Sequence, residues 1–91
     1  KKLKIGQLYE VDWNDAYGQL GWHDANTIQS ATASKCKSVG HYLGTNKAGD
    51  LLFAATSDVS SDLFNNVQGR PKAMIKAIRE LKVGRQVYGT K

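Results

Sequence analysis

The sequence has one cysteine, one proline, two histidines and no long apolar run, and each shortage removes a class of protein. With Cys36 alone, no intrachain disulfide can form. Small secreted domains lean on such staples, so the expectation is a single domain, residues 1–91, in a reducing cytoplasmic compartment. No stretch reaches the ~18 apolar residues of a membrane-spanning helix. The opening KKLKIGQLYEVDW has basic residues with no apolar signal region behind them. Two histidines and one cysteine are too sparse for recognisable zinc-ligand spacing, and there is no Gly-x-Ser-x-Gly elbow. Asp12 and Asp15 could act as an acid–base pair, but Asp15 reads better as a turn cap after a strand. A chain this short buries about 60–65% of its unfolded surface and has little room for an enclosed active site. The expectation is therefore a non-enzymatic protein with no cofactor and no metal.

What is present is charge in one place. The formal net charge is +5. Residues 1–60 carry six lysines and six carboxylates, which cancel. Residues 61–91 carry seven basic groups against Asp62 and Glu80, so the whole excess lies in the last third. Such asymmetry points to an anionic partner, or only to a solvated, solubilising face.

The hydrophobic pattern is that of short strands. Gln7–Trp13 (QLYEVDW) alternates, with Tyr9, Val11 and Trp13 on one side and Leu8, Glu10 and Asp12 on the other. Cys36–Leu43 and Asp50–Thr56 are strand candidates around a GTNKAGD turn and predict an antiparallel hairpin. Its inward positions are expected among Val39, Leu43, Leu51 and Phe53. Residues 14–34 and 57–69 read as polar loops, with Phe64 and Val67 tucking under the body. Residues 71–83 (PKAMIKAIRELKV) carry helix signals: Pro71 at the start, Gly84 at the end, and Met74, Ala77, Ile78 and Leu81 on one face. A helical turn leading into a strand is the alternative. Gln86–Tyr88 offers a terminal strand.

Several of these segments together, VDWNDAY, GW, CKSVGHYLG, DLLFAAT and RPKAMIKAIREL, resemble a set of small bacteriophage proteins over roughly residues 8–81. The residues that carry the likeness include Trp13, Asp15, Gly21, Trp22, Cys36, Ser38, Val39, Gly40, Pro71 and Lys72. The chain departs from the pattern at Ala73, where glycine is usual, and at His41, where an aromatic or aliphatic residue is usual. The resemblance implies a mainly β fold: a small curled antiparallel β-barrel, Sm-like or Src-homology-3-like, with a short helix or helical turn near residues 71–83. It also implies a viral protein acting in the host cytoplasm.

The candidate site combines cations with aromatics. Gly69-Arg70-Pro71-Lys72 places two cations on a turn whose free N–H groups would favour an anion, and Lys76 and Arg79 follow. Tyr17 or Trp22 could stack a base at about 1–3 kcal/mol, with His23 or Asp24 on a ribose or base edge. The reading is a phage accessory protein that binds an anionic nucleotide ligand and sequesters a host immune signal, as a homo-oligomer. The alternatives are a nucleic-acid-binding barrel and a protein-interaction module inhibiting a host protein.

Overall fold

Alternation and turn chemistry build one sheet. The structure is a computed structural model that describes residues 2–15, 22, 24–25 and 34–89. It contains strands β1 (Leu8–Asp15), β2 (Ser34–Thr45), β3 (Leu51–Asp58), β4 (Leu63–Arg70) and β5 (Ile75–Glu80), with a 3-10 turn over Lys72–Met74. The fold is mainly β. All five strands are antiparallel in a single sheet, in the order β4-β3-β2-β1-β5. β4 and β5 are the two edges and do not pair, so the sheet is not closed. Among the described residues no helix is long and apolar enough to cross a membrane.

The β2–β3 hairpin forms as expected, and its turn is fixed by Asn46. The Asn46 Oδ1 accepts from the Ala48 and Asp50 amides, both at 3.0 Å. Gly49 takes the positive φ of 88° that closes the turn. The inward set on β2 differs from expectation. Val39 is 52% exposed and Leu43 half-buried, whereas Gly40 and Tyr42 are buried. Register decides this: Gly40 pairs with Tyr9 and Tyr42 with Phe53, so those residues share the core face. The buried cluster is Tyr9, Val11, Tyr42 and Phe53, with Trp13, Leu51, Ile75 and Ile78 packed against it.

Three other expectations are corrected. Residues 57–69 are not a loop. β3 continues to Asp58, and β4 returns from Leu63 after a turn in which Asp58 accepts from the Ser60 amide at 3.1 Å and hydroxyl at 2.8 Å. β4 is an edge strand exposed along nearly its whole length, so it shows no alternation, and Phe64 and Val67 stay about half exposed instead of tucking in. Residues 71–83 are not the continuous helix that propensity favours but the alternative, a short helical turn leading into a strand: the three-residue turn gives way to β5, which pairs with β1. β1 would otherwise keep an unpaired edge, and satisfying it outweighs local helix propensity. Gln86–Tyr88 form no strand, and Val87 and Tyr88 are more than 80% exposed.

The sheet must curl. Five strands laid flat put β4 and β5 about 19 Å apart, yet only residues 71–74 join them. A 3-10 turn rises only about 2 Å per residue, so the sheet bends until its edges approach. The bend shows in one contact: the Arg70 Cζ lies 3.6 Å from the centre of the Trp13 ring. The two belong to β4 and β1, which two strands separate.

Candidate functional site

The curl gives the sheet a concave face. Cross-strand register places Val11 opposite Ser38, Trp13 opposite Cys36, Phe53 opposite Gln68 and Leu51 opposite Arg70. All of these therefore share the concave face. They help enclose a cleft of about 200 Å³ with Val11 and Phe53 as its apolar floor and Ser38, Asn66, Gln68 and Arg70 as its polar wall.

Arg70 is the chemical centre of this cleft. Its guanidinium stacks on the Trp13 indole and donates to the Gln68 Oε1. The Trp13 Nε1 donates to the Ser38 Oγ at 2.9 Å, which fixes the ring that Arg70 lies on. Arg70 makes no ion pair among the described residues. Burial pushes its pKa down from the ordinary value, with weak opposing fields from Cys36 and Asp15. A guanidinium stays charged regardless, so the cleft holds a partly desolvated cation with no ion-pair partner among the described residues.

Arg79 is arranged differently. It lies on the opposite face, because β5 pairs with β1 so that Arg79 meets Glu10. Its Nε is 3.0 Å from the Glu10 Oε1, and its Nη2 pairs with Asp12. Lys37 from β2 completes the group at 3.3 Å from Glu10 and 3.1 Å from Asp12. Two cations and two carboxylates cancel, so this quartet ties β2, β1 and β5 together and offers no spare charge. Hydrogen bonds from Arg79 first, and from Lys37 second, hold the Glu10 and Asp12 pKa values below their ordinary values. The same bonds raise those of Lys37 and Arg79.

A depressed carboxylate pKa adds stability that is fully present above the ordinary values of 4.5 and 3.8 and is lost as pH falls through the lower folded-state values. The effect is modest at so exposed a site. The urea midpoint is expected to decline with acid below about pH 4.5, and more shallowly in Arg79→Ala. Equal slopes in the two proteins would show that the quartet contributes nothing.

The other expected site residues are scattered. Lys72 is exposed on the 3-10 turn, where the Met74 amide already bonds to the Pro71 carbonyl at 3.0 Å. The turn is only three residues long, so it adds little helix dipole beside Lys72. Lys76 is exposed on β5 and lines a second cleft beside Trp13. Trp22 and Asp24 are both exposed. Tyr17 and His23 lie outside the described residues. The structure thus joins Arg70 to Trp13, Ser38 and Gln68, none of which the sequence reading placed in the site. The available signal was the shared parity of Trp13 with the core-facing residues of β1. Comparison with protein-family models, characterised proteins and solved structures finds no match.

Proposed function

We propose that this protein binds a small anionic ligand of nucleotide class in the concave cleft, without turning it over. Arg70 carries the reading: a partly desolvated guanidinium, unpaired among the described residues and held flat by Trp13. Such a group costs free energy to bury and recovers it when an anion arrives. The apolar floor at Val11 and Phe53 suits a planar base, and Ser38, Asn66 and Gln68 offer donors and acceptors for its edge. Lys72 adds positive field nearby in the chain. The biological role that goes with this reading is that of a phage accessory protein holding a host signalling nucleotide. The curled sheet belongs in this reading to the small-barrel class that the resemblance implies. A homo-oligomer also fits, because the exposed β4 edge carries no charge from Leu63 to Gly69 to discourage strand pairing.

Nucleic acid is the rival ligand, favoured by the exposed Lys35, Lys72 and Lys76. Calorimetric titration separates the two. A nucleotide-class ligand is expected to saturate at one fixed ratio per subunit, with affinity that changes little between short oligonucleotides of rising length. Affinity that grows with oligonucleotide length and falls steeply with salt would transfer the function to the rival.

A further inference from the structure

Two parts of the chain suit a strand pairing that neither makes among the described residues. The first is the outer edge of β4, which pairs with β3 alone. It carries no charge from Leu63 to Gly69, and Leu63, Phe64 and Val67 are exposed along it. Such an edge is a template for another strand. β5, the other edge of the sheet, carries Lys76, Arg79 and Glu80, the kind of charge that discourages strand pairing. The second part is the stretch after β5. Val83, Val87 and Tyr88 are β-branched or aromatic and suit a strand, yet residues 82–89 lie outside the sheet and are all exposed.

Charge and spacing match these two parts. From Ala48 to Gly69 the only charged residues are Asp50, Asp58 and Asp62. Residues 82–89 carry Lys82 and Arg85 and no acid. Asp58, Asp62, Lys82 and Arg85 make no ion pair among the described residues. Cross-strand register puts Leu63 and Val67 on one face of β4, opposite Asp58 and Ala54 of β3. In an extended segment Val83 and Val87 fall on one side at the same spacing. Laid along β4, the segment covers two exposed apolar side chains with two others and sets a basic stretch against an acidic β3–β4 hairpin. In the single chain both parts stay exposed, so the contact is one between copies.

We propose that residues 82–89 of one copy add as a strand to the β4 edge of a second copy of this chain. Backbone hydrogen bonds to β4 supply affinity, and the opposite charges of hairpin and segment select the partner edge. This rests on the homo-oligomer of the reading above, which it extends to a named contact, and it is independent of the ligand in the cleft.

Sedimentation velocity of the whole protein over a range of concentrations tests the contact. The variants are Leu63→Lys/Val67→Lys, which puts cations on the edge, and Val83→Asp/Val87→Asp, which puts acids on the segment. All four positions are exposed, and thermal unfolding checks each fold. Where the double substitution on β4 unsettles the fold, Leu63→Lys alone takes its place. Wild type is expected to associate, and each variant alone to do so about 100-fold more weakly, because like charges then face each other across the contact. An equimolar mixture of the two variants is expected to associate again, since each supplies the half that the other lacks. If either variant alone associates as wild type does, or the mixture stays dissociated, this contact is wrong and the homo-oligomer stands on another surface. Association of Val83→Asp/Val87→Asp alone would mean that β4 pairs with β4. If wild type is monomeric throughout, the homo-oligomer and this contact both fall.

Discussion

Gly40→Val is expected to destabilise the protein by about 3 kcal/mol, the upper end of the usual cost of overpacking. A Cβ at Gly40 would lie 3.1 Å from the Ala54 carbonyl oxygen and 3.1 Å from the Phe53 Cβ. Neither neighbour is the loose end of a side chain. Both move only with the β3 backbone, whose pairing with β2 and β4 holds it in place. Phe53 also belongs to the buried cluster, so pushing it outward opens the core. Replacing a strand glycine returns roughly 0.5–1 kcal/mol through backbone entropy, which does not offset the clash of a branched side chain. Gly84→Val is the matched control, since nothing lies within 4 Å of its Cβ; its effect is expected within about 0.5 kcal/mol. Urea unfolding of both variants measures the difference. A Gly40→Val protein as stable as wild type would mean that β2 and β3 do not approach so closely.

That close approach explains part of what the sequence hid. QLYEVDW announced β1 and its buried side correctly, because one face is packed and the other wet. β2 carries the opposite signal. Its core face holds the small residues Ser38 and Gly40, and at Gly40 the close approach of β3 leaves no room for a side chain, while Val39 points outward. A search for apolar residues inside therefore chose the wrong parity. β4 has no buried side to impose alternation, and Asn66 at a φ of 55° interrupts it further. β5 was concealed by residues that suit a helix equally well, and only its pairing with β1 settles the matter.

The site was legible in its cations and not in its partners. Arg70 and Arg79 look alike as positive charges in a basic third. Their partners lie 57 and 69 positions away, Trp13 for one and Glu10 for the other. The first pairing depends on the curl of the sheet and the second on the β1–β5 register. Neither is encoded near the arginine itself.

From that difference follows the second large effect. Arg70→Ala is expected to weaken nucleotide binding by about 100-fold, the range for losing a hydrogen-bonded charge, whereas Arg79→Ala should change it less than about 3-fold because its charge is already paired. Arg70→Lys should recover little, since an ammonium neither lies flat on an indole nor presents a planar fork to a phosphate. Arg70 is only partly buried, so all three variants should fold.

The central claim is that an anion enters beside the Arg70–Trp13 stack, and the Trp13 indole N–H reports on it directly. Its nuclear magnetic resonance signal, assigned with Trp13→Phe, should be followed as nucleotide is added to wild type and to Arg70→Ala. The expected result is a saturable shift of the Trp13 signal in wild type that is lost in Arg70→Ala. Nucleotide binding that leaves the Trp13 signal unmoved, or that shifts it equally without Arg70, would contradict the account.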